Sequence, residues 1–184
     1  MHKPAHIAEI ILQPGDFHFG DRDTRIRTLL GSCVSITMWH PILLIGGMCH
    51  YLLPARSERE SSVLDGRYAD EAMEMFMREI GAAGTRPAEY QVKLFGGGNM
   101  FPGIKKDSVD CSKTSCNPFG ATCKNVSCRN EVAAKQLVKK YGISIQAASL
   151  GGSCSRQIFF DIWSGHVCSK HTPMPAQIIQ GKVA

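Results

Sequence analysis

The sequence predicts an α/β protein: a single-domain mixed sandwich of β-sheet layers carrying about two amphipathic helices. Three observations lead there. Short runs rich in Ile, Val and Leu are cut repeatedly by Gly and Pro, the pattern of strands and turns. Two segments carry apolar residues at helical spacing. The elements follow as strands, helix, strand, helix, strands, without the strict alternation of a doubly wound nucleotide fold. With 184 residues the chain is long enough for one sizeable core.

Residues 7–12 read as a strand rich in isoleucine, stopped by the turn Gln13-Pro14-Gly15-Asp16. Residues 17–23 form a second short strand or a loop. Residues 26–38 are a strand-like segment interrupted at Gly31, and residues 42–53 a second one beyond the His40-Pro41 turn. Together these two make a hairpin. Residues 55–66 are polar, charged and rich in Ser and Arg, hence a loop. Ala69, Ala72, Met73, Phe76, Met77 and Ile80 then recur as one stripe of a helix. Asp70 and Glu71 suit its first turn, and Gly81 or Gly84 ends it.

Residues 90–95 form a strand that runs into Gly96-Gly97-Gly98-Asn99. A second helix spans residues 129–141, with Val132, Ala133, Leu137 and Tyr141 on one face and Gly142 closing its C-terminus. Residues 143–150 and 157–163 are strands separated by Gly151-Gly152, and a last short strand surrounds Val167. From residue 169 the chain reads as a flexible tail. No internal repeat is evident.

Composition narrows the function classes. The formal charge of +5 is modest and dispersed, so no basic arm or stripe points to nucleic acid. No segment has the layout of a signal peptide, and no apolar run reaches membrane-span length, which predicts a cytoplasmic protein without membrane insertion. In such a compartment the eight cysteines are buried, catalytic or metal-bound rather than a disulfide framework.

The chemistry concentrates at Gly31-Ser32-Cys33 and at His50, seventeen residues further on. A thiolate is a strong nucleophile at neutral pH, and a nearby imidazole can take and return its proton. Small residues before the cysteine allow a substrate carbonyl, and backbone N–H groups, to approach the sulfur. The plainer alternative is a small buried hydrophobe. Strand alternation separates Cys49 from His50, so His50 is assigned to the cleft and Cys49 to the core. Thr28 is the candidate third group, able to hydrogen-bond the imidazole, although an ordinary strand threonine explains it equally well.

Gly96-Gly97-Gly98-Asn99 lacks the Lys-Ser/Thr of a phosphate-binding P-loop, so it reads as a tight strand-to-loop transition beside the site. Cys111, Cys116, Cys123 and Cys128 crowd one loop with four, six and four residues between them. Four thiolates can bind zinc, but paired zinc knuckles usually have two residues inside each pair; redox-active or free thiols are the alternative. Cys128, close to a helix start, is a minor rival nucleophile.

The segments from Gly20 through Thr28-Leu29-Leu30-Gly31-Ser32-Cys33-Val34, Ile45-Gly46-Gly47-Met48-Cys49-His50-Tyr51, Gly66-Arg67-Tyr68-Ala69-Asp70, Lys93-Leu94-Phe95-Gly96-Gly97-Gly98-Asn99, Arg129-Asn130, Leu150-Gly151-Gly152 and Phe160-Asp161 resemble, in that order, the CheD family of chemoreceptor glutamine deamidases. The resemblance implies a fold similar to the catalytic domain of cytotoxic necrotizing factor toxins. It places a deamidase domain at residues 7–168, with a Cys-rich loop at about 104–128 and a tail at 169–184. It implies a hydrolase that converts receptor glutamine to glutamate with Cys33 as nucleophile, His50 as base and Thr28 as third member, and without cofactor or metal. Its partners would be methyl-accepting chemotaxis receptors and a CheC-type phosphatase. The four-cysteine loop exceeds the family pattern, so the resemblance says nothing of its role. The contrasting expectation is a receptor- or phosphatase-binding adaptor with little catalysis.

Overall fold

Two sheets stack face to face, and two helices cover the outer face of one of them. The structure is a computed structural model that describes residues 4–58, 61–100, 117–119 and 125–173. The four-stranded sheet runs β1 (Ala8–Ile11), β3 (Thr24–Leu30), β8 (Cys154–Asp161), β9 (His166–Pro173). The five-stranded sheet runs β2 (Phe17–Gly20), β5 (Ile45–Cys49), β4 (Val34–His40), β6 (Gln91–Gly96), β7 (Ile145–Leu150). Helices α1 (Ala69–Ala82) and α2 (Val126–Lys140) pack on the second sheet.

Alternation along the strands builds two cores from one set of sequences. Val34, Ile36, Met38, Cys49 and Tyr51 face the helices and meet Ala72, Met73, Phe76, Ala133, Leu137 and Val138. Met48 and Phe95 point the other way, into the layer between the sheets, against Ile26, Leu30, Ile158 and Phe160. The α/β sandwich expected from the sequence is therefore present, as three layers: helices, five strands, four strands.

The segment at residues 26–38 is two strands in different sheets rather than one. β3 pairs with β1 and β8, whereas β4 pairs with β5 and β6. Gly31-Ser32-Cys33 is the step between the layers. The expected hairpin forms, with Thr37 opposite Met48 and His40 opposite Ile45. The same register continues to a lone bridge, Val34 opposite Tyr51.

Both helices differ slightly from the periodicity reading. α1 runs through Gly81 and stops before Gly84, whose φ of +66° suits glycine. α2 begins at Val126, because Asn125 caps it and accepts a hydrogen bond from Cys128 N at 3.3 Å. It ends in a Schellman motif, with Gly142 N on Lys139 O at 2.9 Å and Ile143 N on Val138 O at 3.1 Å. Residues 169–173, expected in the tail, belong to β9 and pair with β8 from Pro173 opposite Cys154 onward. Residues 174–184 lie outside the described part. Among the described residues no helix is long and apolar enough to cross a membrane.

Candidate active site

Thr28 projects from β3 into the space between the sheets and is buried. Its Oγ1 donates to Leu12 O at 2.9 Å and lies 2.7 Å from His50 Nδ1. The hydroxyl has one hydrogen, and Leu12 takes it; the oxygen must then accept from the ring. His50 therefore carries its proton on Nδ1 and presents the Nε2 lone pair. Nε2 is buried and has no hydrogen-bond partner among the described residues.

His50 sits one residue beyond β5, held through its main chain by the β1–β2 turn. Its N–H donates to Asp16 O at 3.0 Å, and its carbonyl accepts from Gly15 N at 2.7 Å. Burial drives the imidazole pKa down from 6.5 to about 4, against smaller upward pulls from the Asp16 charge and the Leu12 carbonyl. At neutral pH the ring is uncharged, a base with a free lone pair.

Cys33 lies at the threshold of β4, half-buried and packed against the core between the sheets. The register placing Val34 opposite Tyr51 puts Cys33 opposite Leu52 and Ser35 opposite His50. Cys33 and His50 are diagonal neighbours on one face, and Cys49 faces the helices. The expected separation of Cys49 from His50 follows from that alternation. Burial raises the Cys33 thiol above the usual cysteine range, opposed by a contact from its own backbone N–H. The thiol and Nε2 are not hydrogen-bonded, so the pair is a neutral thiol beside a neutral imidazole, not a preformed ion pair. Active-site hydrogen bonds commonly close only on substrate binding.

The glycine run of β6 holds the Cys33 step in place. Gly97 N donates to Cys33 O and Gly98 N to Gly31 O, both at 2.8 Å. Gly96 and Gly97 have φ of +113° and +66°, which makes these two contacts reachable. A second glycine pair braces the first: Gly151 N reaches Gly96 O at 2.9 Å and Asn99 N reaches Gly152 O at 2.7 Å. Buried Arg156 spans both runs, donating from Nη1 to Gly96 O at 3.3 Å and from Nη2 to Gly151 O. No phosphate cradle is built; the N–H groups of Gly97 and Gly98 are spent on the chain itself.

A cleft of about 480 Å³ reaches the histidine, walled by Leu12, Pro14, Thr28, Leu29 and His50 among others. Cys33 is not in its wall. Ile11 and Leu29 stand exposed on its rim. Of the four clustered cysteines, Cys111, Cys116 and Cys123 fall outside the described residues. Cys128 occupies the first turn of α2. The Leu12 carbonyl, Asp16 and Arg156 are site features that the sequence reading missed. A carbonyl leaves no mark in the residue type, and a buried arginine reads from sequence like a surface one.

The family described as CheD chemotactic sensory transduction matches residues 52–171. Similar proteins match over more of the chain. One from Pseudomonas savastanoi pv. phaseolicola, named a probable chemoreceptor glutamine deamidase CheD, is 48% identical over 176 residues, 96% of this chain and 92% of that protein. A probable chemoreceptor glutamine deamidase CheD 3 from Dechloromonas aromatica is 46% identical, covering 89% of this chain and 88% of its own. A more distant relative of the same name, CheD 1 from Leptospira interrogans, is 35% identical over 90% and 93% of the two chains. The solved structure of the Bacillus licheniformis hypothetical protein YfiH superposes with a TM-score of 0.42 at 12% identity, over 73% of this chain and 50% of that one. Identity of this level over nearly the whole length, with the family's own profile spanning most of the fold, means that the chain belongs to the CheD family of chemotaxis proteins.

Proposed function

We propose that this protein hydrolyses glutamine side chains of chemoreceptors to glutamate, with Cys33 as nucleophile, His50 as general base and acid, and Thr28 as the group that sets the imidazole. The observation that carries the reading is the 2.7 Å contact between Thr28 Oγ1 and His50 Nδ1, which turns the basic nitrogen away from Thr28. The names of the relatives supply the substrate class.

The chemistry starts from neutral partners. Cys33 Sγ adds to the carboxamide carbon as its proton passes to His50 Nε2. The carbonyl oxygen becomes an oxyanion within reach of backbone N–H groups. His50 returns the proton to the amide nitrogen, the C–N bond breaks, and ammonia leaves a thioester on Cys33. Water then adds to the thioester, giving its proton to Nε2. The C–S bond breaks, glutamate departs and the thiol is restored. Thr28 acts throughout by accepting from Nδ1–H, which stabilises the imidazolium formed in each half.

The test is ammonia release from a receptor cytoplasmic fragment. Wild-type protein is expected to release it, and Cys33→Ala and His50→Ala to release none while keeping native circular dichroism. Full activity in Cys33→Ala would exclude this nucleophile. A wild-type protein that binds the fragment and releases nothing would favour the adaptor instead.

A further inference from the structure

We infer that Asn130 is a positioning residue that aims the Cys33 backbone N–H at the oxyanion formed on the substrate carbonyl. The inference rests on Cys33 being the nucleophile. Asn130 is fully buried in α2, and its Nδ2 donates to Ser32 O at 3.2 Å and to Leu52 O at 2.7 Å. Those two carbonyls stand just past the Val34–Tyr51 bridge, where Cys33 and Leu52 would be the next pair. The amide thus joins the two strand ends that carry Cys33 and His50. Its own main chain is tied to the same place, since Tyr51 Oη donates to Asn130 O at 2.6 Å. Ser127, one turn earlier, donates to Gly98 O at 2.9 Å, so α2 also grips the glycine run that backs the Cys33 step.

Peptide geometry converts this grip into an aim. Ser32 C=O and Cys33 N–H belong to one planar trans unit and point in opposite directions. Asn130 approaches from the helix side of the sheet and holds the carbonyl there. The Cys33 N–H, pointing opposite to that carbonyl, is left toward the other side, the layer into which the Cys33 side chain packs. A donor on the nucleophile's own residue, on the side its side chain occupies, is in place for the oxygen of a tetrahedral adduct on that sulfur.

Stability alone does not account for this asparagine. It sits in the body of a helix, where Asn is a poor former. Its Oδ1 is buried without a partner among the described residues, which costs free energy. A side chain with such a cost, spanning two carbonyls beside Cys33, fits a demand of the site.

Two thiol reagents separate aim from architecture without needing the receptor. In acylation by p-nitrophenyl acetate, the Sγ–C bond forms through an oxyanion, the thiol proton goes to His50, and the C–O bond breaks to release p-nitrophenol. Alkylation by iodoacetamide displaces iodide directly and forms no oxyanion. Asn130→Ala is expected to slow the p-nitrophenol burst roughly 10²-fold, the usual cost of losing an oxyanion donor, while Cys33 alkylation changes less than about twofold. Asn130→Ser, which keeps one donor, should show the same split at smaller amplitude and serves if Asn130→Ala does not fold. An unchanged burst, a parallel fall in both reactions, or failure of both variants to fold would overturn the inference. A burst that persists in Cys33→Ala would instead refute the nucleophile, and ammonia assays on the receptor fragment judge the deamidase reading separately.

Discussion

A single hydroxyl hydrogen decides which nitrogen of His50 is basic. Leu12 O takes it from Thr28, and the ring must then donate from Nδ1. Thr28→Val keeps the shape and removes the acceptor. Turnover should fall roughly 10²-fold with KM little changed, because the lost interaction strengthens only as the ring becomes charged; Thr28→Ser should retain most of the rate. Ammonia-release kinetics of the three proteins measure this. As the proposed base His50 must be neutral to act, and burial holds its pKa at about 4. The acid limb of kcat/KM should therefore lie near pH 4, well below the ordinary 6.5, and a limb near 6.5 would mean a solvated ring. Cys33, His50 and Thr28 were legible as residue types at suggestive spacing. The Leu12 carbonyl that orders Thr28 and His50 was not, since it acts through an atom every residue has.

At the scale of elements, the step between β3 and β4 is the device that brings the proposed catalytic residues to one face. One run of sequence crosses from one sheet to the other at Gly31-Ser32-Cys33, and the β6 glycines clamp the crossing. A Cβ on Gly98 would come within 2.6 Å of Cys154 O and 3.1 Å of Gly31 O, both backbone atoms that cannot rotate away. Gly98→Ala should push this loop outward and lower turnover roughly 10²-fold, the scale of a 1 Å misplacement. Gly81→Ala is the contrasting case. It lies in α1 with nothing within 4 Å of the added carbon, so stability should rise by about 0.5–1 kcal/mol with turnover unaffected. Thermal melts and ammonia assays on the pair check both. Periodicity located both helices because each buries one stripe. The interruption at Gly31 is visible in the sequence, but the change of sheet there is not, because both flanking strands are equally apolar and the partner sheet of a strand is a long-range choice. The start of α2 at Val126 was hidden for a related reason: Ser127 and Asn130 face the core for their hydrogen bonds rather than for hydrophobicity.

The whole molecule places His50 inside a sandwich, and that location has a thermodynamic signature. The folded ring has a pKa near 4 and the unfolded ring one near 6.5. Between those values the unfolded chain holds a proton that the folded one lacks, so the His50 contribution is complete above pH 6.5 and is lost as pH falls toward 4. Urea denaturation should show a loss of about 2 kcal/mol between about pH 7.5 and pH 5 that is absent in His50→Gln. An equal loss in both proteins would assign the pH dependence elsewhere. The layered architecture was legible from element order and apolar runs. The division of one sheet's residues between two cores followed only once the register was known. Deamidase activity is decided by the fate of the receptor amide. Peptide mapping by mass spectrometry of a receptor cytoplasmic fragment, after incubation with the wild-type protein or with Cys33→Ala, measures it directly. Specific glutamines should be converted to glutamate by the wild type and left intact by the variant. Intact glutamines in both samples, or conversion in both, would contradict the proposed function.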